Sequence, residues 1–172
     1  MSQRINFRLL LLMGIVVFVV GWVLWKFVET SVTGGIINRG QYLEVDLKEI
    51  SSFEMDQYDA TDESIPDRFR KLDGKRVLLV GEMYQAYAIG GNVAQFALVY
   101  SIAKCCVTSS PKIQHFVKST ADPARSIAYH DGLVKVMGIF HVGVEKVGGR
   151  VRGVYRVDVQ SVEPVSLRGP GG

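Results

Sequence analysis

Two adjacent cysteines, Cys105 and Cys106, are the side chains whose type and spacing most clearly offer chemistry, and the 172-residue chain has no others. Consecutive Cα atoms lie about 3.8 Å apart, below the usual disulfide range of about 4.4–6.8 Å, so a bond between them would be strained and easily reduced. Three interpretations stay open. The cysteines are structural, they form a redox-active vicinal disulfide, or they are thiolate ligands for Zn(II) or Cu(I).

Two histidines could complete such a metal site. His115 falls on the third predicted barrel strand and His141 on the fourth, so the predicted ligand set is Cys105, Cys106, His115 and His141. Zinc or copper is the one cofactor that this pattern suggests. No C-x-x-C or H-x-x-x-H spacing accompanies the cysteines, which keeps the metal signal weak.

Other chemistry has no sequence signature here. The chain has no phosphate-binding glycine motif, no nucleophile elbow and no paired carboxylates with an evident partner. A net charge of +3 is too small to indicate nucleic acid, and few aromatic residues alternate with bases. The sequence therefore predicts a protein that is not an enzyme and does not bind nucleic acid.

Charge is unevenly distributed along the chain. Residues 44–73, the acidic stretch, carry ten acids and four bases, whereas residues 74–172 carry twelve bases and six acids. The simpler interpretation, which we favour, is a solvated acidic face beside a mildly basic sheet. Alternatively, the acidic stretch folds back over the basic sheet, or the sheet meets an anionic partner.

A long apolar run precedes all of these residues. Residues 9–25 read LLLLMGIVVFVVGWVLW, without a charged side chain, and nearly cross a hydrocarbon layer of about 30 Å as a helix. The run predicts a transmembrane helix over residues 9–28. The competing interpretation is a cleaved signal peptide, but its apolar core would be about 7–15 residues and would end at small side chains.

Positive charge in the short N-terminal flank sets the predicted orientation. Arg4 and Arg8 precede the apolar run, which keeps residues 1–8 in the cytoplasm. We therefore expect a single-pass protein of the inner membrane, with the remainder of the chain periplasmic. Residues 29–41 are predicted as a glycine-containing linker and residues 166–172 as a loose tail.

Residues 42–165 show β-type alternation. A short edge strand is predicted at 42–48, and a short helix opens near Pro66 before the first barrel strand. Five barrel strands are predicted at 76–84, 94–102, 113–118, 132–145 and 151–162.

Glycines fall in the middle of the first and fourth of these five strands, at Gly81 and Gly138. Strongly bent strands need a glycine or a bulge where the sheet turns. The fold class predicted is therefore mainly β, a five-stranded Greek-key barrel of the oligonucleotide/oligosaccharide-binding (OB) type. A small open β-sandwich is the alternative.

Several short motifs occur in a characteristic order. They are LDGKRVLLVGEM at residues 72–83, FALV at 96–99, the Cys105–Cys106 pair and VMGI at 136–139. In this order the chain resembles, over residues 42–163, bacterial membrane-associated extracytoplasmic domains of unknown function. The resemblance implies an OB-like domain at the cell envelope and no established activity. Some relatives are linked to metal handling, which makes Cys105 and Cys106 the candidate site.

Together these observations predict a membrane-anchored, extracytoplasmic binding or assembly module of the cell envelope. Its expected partners are the membrane and another membrane or envelope protein. The alternative is a metal- or thiol-handling factor that uses Cys105 and Cys106. Replacement of both cysteines by serine separates the two, because only the alternative requires the thiols.

Overall fold

The computed structural model describes residues 7–85, 91–104, 110–122 and 127–165. The chain divides into two compact units, Met1–Gly34 and Gly35–Gly172. The first contains helix α1, Phe7–Thr33. The second contains the β structure and the sites considered below.

Helix α1 corrects one prediction. No helix among the described residues is long and apolar enough to cross a membrane. The transmembrane helix and signal anchor predicted over residues 9–28 are therefore wrong.

The described part of the second unit forms nine strands. They are β1 (Ile36–Asn38), β2 (Leu43–Val45), β3 (Lys75–Tyr84), β4 (Asn92–Val93), β5 (Gln95–Val99), β6 (Val117–Ala121), β7 (Ile127–Ala128), β8 (Leu133–Val147) and β9 (Arg150–Pro164). Strands β4 and β7 form a separate two-stranded ribbon.

The other seven strands form one mixed sheet in the order β1-β2-β3-β5-β6-β9-β8, with a further pairing between β3 and β8. Strand β2 runs parallel to β3, and β6 runs parallel to β9. The β3–β8 pairing closes β3, β5, β6, β9 and β8 into a ring, while β1 and β2 extend the sheet from β3. The predicted five-stranded OB-like barrel is wrong, because the sheet has seven strands and is open at β1.

The long β8–β9 hairpin follows from period-two alternation and a glycine turn. In β8, Val134, Val136 and Phe140 are fully buried, while the alternate residues Lys135, Met137 and Ile139 are more exposed. Gly148 and Gly149 both have positive φ, which suits the two-residue turn that joins the strands. The strand register shifts between Met137 and Gly138, where a bend was predicted.

Gly138 is required at that shift by close backbone contact. A Cβ atom there would lie 2.2 Å from the carbonyl oxygen of Asp158. Gly81 is similarly crowded, because its Cβ would lie 2.5 Å from the carbonyl oxygen of Val99. Both glycines therefore let a neighbouring strand approach more closely than any other residue would.

Short helical elements replace two parts of the predicted strands. Helix α2, Leu47–Ile50, follows β2, because Asp46 caps it by accepting a hydrogen bond from the Lys48 N–H at 2.8 Å. The predicted strand at 113–118 begins instead with a 3-10 turn, Ile113–His115, before β6. The predicted short helix is α3, Asp67–Arg70, preceded by a 3-10 turn at Asp62–Ser64.

One hydrophobic core joins the acidic stretch to the sheet. Phe69 of α3 has no exposed surface, and its ring centroid lies 6.1 Å from that of Phe53. Ten of the largest fully buried side chains belong to this core, namely Ile50, Ile65, Phe69, Val77, Leu79, Met83, Leu98, Val117, Phe140 and Tyr155. The acidic stretch is thus part of the folded unit through its apolar residues.

Candidate functional site

Cys105 and Cys106 lie outside the residues that the structure describes. The metal site predicted from these cysteines with His115 and His141 stays a prediction. The described residues include no group of three or more histidine, cysteine, aspartate or glutamate side chains that could hold a metal ion.

His115 lies at the end of the Ile113–His115 turn and is partly buried. Its Nδ1 accepts a hydrogen bond from the Lys112 N–H at 3.4 Å, and its ring meets the edge of Tyr100, with centroids 6.3 Å apart. Burial, together with the nearby Lys112 ammonium, lowers the pKa of His115. The imidazole is therefore held neutral, in a form that could bind a metal.

His141, by contrast, lies between two carboxylates. Its Nε2 is 3.0 Å from Asp158 Oδ2, and its Nδ1 is 3.8 Å from Asp73 Oδ1. The Asp73 oxygen also accepts a hydrogen bond from the Val142 N–H at 2.9 Å. The two carboxylates approach opposite nitrogens of the ring, so they do not converge with it on one point.

The acidic stretch folds back on the sheet, which was the less favoured of the two interpretations of the charge pattern. The Lys146 ammonium lies 2.9 Å from Asp59, and the Lys112 ammonium lies 2.7 Å from Glu54. The acids of these two pairs are nevertheless exposed, so the stretch contacts the sheet and also presents a solvated acidic face.

Carboxylates of the acidic stretch also accept hydrogen bonds from backbone N–H groups of β8, beyond the end of the β3–β8 pairing. Pairing of β3 with β8 ends at Lys75 and Phe140, so the β8 backbone beyond Phe140 needs other acceptors. The Val142 N–H donates to Asp73, and the Val144 N–H donates to Asp62 at 2.7 Å. Two acids thus satisfy alternate N–H groups of β8.

An amide pair fastens the same stretch to the Ile113–His115 turn. Gln114 is buried, and its Nε2 donates to the Phe53 carbonyl oxygen at 2.9 Å. Gln57 accepts from the Ile113 N–H at 2.8 Å and donates to Gln114 Oε1 at 3.0 Å. Because these groups satisfy one another, the polar contact is compatible with burial.

A second surface of the sheet carries an open groove of about 450 Å³, here called the aromatic groove. Residues from β3, β5, β6, β9 and the segment before β6 line it. They are Tyr84, Gln85, Gln95, Phe96, Ala97, Pro111, Ile113, Phe116, Lys118, Arg152, Gly153 and Tyr155. Its volume lies within the range of about 300–1,000 Å³ that is usual for small-molecule sites.

The inner part of the aromatic groove is rigid and apolar. Phe96 is 4% exposed and Tyr155 is fully buried. The Tyr155 ring stacks on Phe140 with centroids 5.4 Å apart, and its hydroxyl donates to the Ile50 carbonyl oxygen at 2.8 Å. Burial raises the pKa of Tyr155, so this phenol stays protonated.

A second aromatic pair lies nearer the surface. The Tyr84 and Phe116 rings have centroids 6.1 Å apart and planes inclined by 52°. Tyr84 is exposed and Phe116 is partly buried. Their faces therefore offer apolar contact area to a ligand in the aromatic groove.

Two cations, Lys118 on β6 and Arg152 on β9, are the charged residues among the described lining. Glu145 Oε2 lies 3.8 Å from Lys118 Nζ and 3.8 Å from an Arg156 nitrogen, so it partly balances the positive charge nearby. The Arg152 side chain is exposed and has no hydrogen-bond or ion-pair partner within the described part of the chain. The aromatic groove is therefore apolar inside and positive at its rim.

Sequence reasoning did not identify the aromatic groove. Phe116, Lys118 and Arg152 come together because β6 and β9 are parallel neighbours, with Val117 opposite Tyr155. Only the alternation of aromatic and basic residues at 116–118 was a usable signal, and it is too short to be specific. The lining residues come together through the pairing of strands that are distant in sequence.

No protein-family model and no curated protein matches the chain. A solved structure to which it is similar is that of a DUF3299 family protein from Pseudomonas aeruginosa PAO1. The two share 23% identity at a TM-score of 0.45, covering 58% of this chain and 67% of that one. A likeness at this level identifies neither a family nor a superfamily for the chain. It assigns no activity to this chain.

Proposed function

We propose that the chain is a non-catalytic binding module whose ligand occupies the aromatic groove. The observation that carries this proposal is an apolar concavity with exposed aromatic faces and, at its rim, an arginine side chain without an ion-pair partner among the described residues. Concave apolar sites with a few placed polar groups are the usual form of ligand sites in proteins.

The chemistry of the lining supports binding over catalysis. Its ionisable groups among the described residues are two phenols and two cations. The Tyr155 hydroxyl already donates to Ile50, and the cations Lys118 and Arg152 are groups that can pair with an anionic part of a ligand. These groups suit recognition of a ligand better than general acid–base catalysis.

Other expectations accompany this proposal as predictions. They are an extracytoplasmic location, a partner protein of the cell envelope and the absence of nucleic-acid binding. The metal- or thiol-handling alternative centred on Cys105 and Cys106 is likewise still a prediction.

The experiment that tests the proposal fills the aromatic groove with a side chain. Ala97 lies in its lining, so Ala97→Trp places an indole where the ligand would lie. Val80→Trp is the matched control, because Val80 is an exposed β3 residue outside the lining. The probe is 2-naphthalenemethanol, which has a flat apolar body and no charge, and calorimetry measures its affinity for the full chain.

The expected result is saturable binding to the wild type and to Val80→Trp, and none to Ala97→Trp. Circular dichroism establishes that both variants are folded. Binding that survives in folded Ala97→Trp, or a wild type that does not bind the probe, overturns the proposal.

A further inference from the structure

We infer that the ligand of the aromatic groove is a small organic anion with a flat apolar body, held by Arg152. This inference rests on the proposed function and adds the chemical class of the ligand. Three properties of the groove carry it: its aromatic faces, its size and the sign of its charge.

The aromatic faces select the body of the ligand. Tyr84 and Phe116 present inclined rings next to the buried Phe96. A flat apolar group between such faces gains both burial of apolar area and aromatic contact. A volume of about 450 Å³ suits a molecule of two or three fused or linked rings better than an extended polymer.

The rim selects the charge of the ligand. No aspartate or glutamate occurs among the described lining residues, whereas Lys118 and Arg152 both do. The Glu145 carboxylate adjoins this lining and lies 3.8 Å from both Lys118 and Arg156. The described lining itself carries two cations and no acid, which favours an anion and disfavours a cation.

Arg152 is the better anchor of the two lining cations. Lys118 already has Glu145 as a partner, while Arg152 has none among the described residues. A guanidinium presents parallel N–H groups that match a carboxylate, sulfonate or phosphate in two hydrogen bonds. The geometry thus assigns binding of the acid group to Arg152 and a supporting electrostatic role to Lys118.

Three probes of one shape test the inference. Naphthalene-2-sulfonate, 2-naphthalenemethanol and 2-naphthylmethylammonium carry negative, zero and positive charge on the same ring system. Their affinities for the full chain are measured by calorimetry at one salt concentration. We expect the sulfonate to bind about tenfold more tightly than the alcohol, as expected for one charge-assisted contact, and the ammonium to bind most weakly.

Arg152→Gln should remove the preference for the sulfonate and leave the affinity for the alcohol nearly unchanged. Arg150→Gln is the matched control, because Arg150 is an exposed arginine of the same strand outside the groove lining. It removes one positive charge from the chain and should retain the preference.

The outcomes separate this inference from the proposed function. Equal affinities for the three probes would refute the inference that the ligand is an anion. They would leave the proposed binding function unaffected. A sulfonate preference that survives Arg152→Gln, or disappears equally in Arg150→Gln, overturns the assignment to Arg152. Failure of every probe to bind overturns both.

Discussion

The acidic stretch and the aromatic groove differ in how their charged side chains are paired. In the acidic stretch, Lys146 and Lys112 are paired with acids of the chain itself, and β8 donates backbone hydrogen bonds to Asp62 and Asp73. In the aromatic groove, the Arg152 side chain has no partner among the described residues. The first region is therefore joined to the fold by its own charges, and the second is the region where we propose that a ligand binds.

The comparison teaches that the positive charge of residues 74–172 serves two purposes. Part of it holds the acidic stretch, whose apolar residues belong to the core. The ion pairs of that stretch are exposed and each contributes little, so burial of Phe69 and its neighbours supplies most of its attachment. Two other cations of this region, Lys118 and Arg152, lie at the groove rim.

The largest expected effect is the loss of stability when a core side chain of the acidic stretch is removed. Phe69→Ala removes a fully buried ring and should lower the free energy of unfolding by about 3–5 kcal/mol. Phe116→Ala, in the aromatic groove, should cost less than half as much because Phe116 is only partly buried. Urea unfolding followed by circular dichroism measures both, and equal losses would contradict the division into a core side and an open side.

A somewhat smaller effect concerns the β8–β9 pair, which both regions share. Gly138→Ala places a Cβ 2.2 Å from the Asp158 carbonyl oxygen, so the strands must separate, at a cost of about 1–3 kcal/mol. Gly143→Ala in the same strand is the control, since its Cβ would meet its nearest atom at 3.6 Å. Differential scanning calorimetry should show a lower Tm for the first variant only, and an unchanged Tm there would refute the close approach.

Lowering the pH should weaken the attachment of the acidic stretch to the rest of the fold. A hydrogen bond from Lys112 lowers the pKa of Glu54, and backbone N–H groups of Asp59 and Tyr58 lower the pKa of Asp56. A carboxyl with a lower pKa in the folded state stabilises the fold above its unfolded pKa, and this stabilisation is lost as the pH falls through the lowered value.

Urea midpoints measured between pH 6 and pH 3 should therefore decline, and Glu54→Gln should decline less because its contribution is already absent. Since both carboxyls are exposed, we expect this effect to be smaller than that of Gly138→Ala. Identical pH profiles for the wild type and Glu54→Gln would show that the Lys112–Glu54 pair contributes nothing.

The smallest expected effect concerns the cysteines. If the aromatic groove is the functional site, replacement of Cys105 and Cys106 by serine should leave the affinity for 2-naphthalenemethanol unchanged within about twofold. Calorimetry of the double variant measures this. A larger loss in a folded protein would favour the thiol-centred alternative, and metal analysis of the wild type would then show whether zinc or copper is bound.

Sequence patterns predicted the local β structure and failed where distant segments meet. Alternation and the Gly148–Gly149 turn gave the β8–β9 hairpin, and Gly138 marked its register shift. The predicted five-stranded barrel was wrong because nothing in the sequence of residues 42–48 shows that β2 pairs with β3 in parallel. The prediction for α1 was wrong because it relied on the length of the apolar run.

The candidate site was less predictable than the strands. The cysteine pair drew attention because of its rarity, whereas the groove depends on the parallel register of β6 and β9, which brings Lys118 and Arg152 to one rim. A residue pattern within one strand does not determine that register.

One measurement tests the central contrast most directly: an amide NMR titration of the full ¹⁵N-labelled chain with naphthalene-2-sulfonate. The account predicts saturable shifts at groove residues such as Phe96, Phe116 and Gly153, and none at Asp59 or Asp62 of the acidic stretch. Shifts centred on the acidic stretch, or none at the groove under saturating probe, would contradict it.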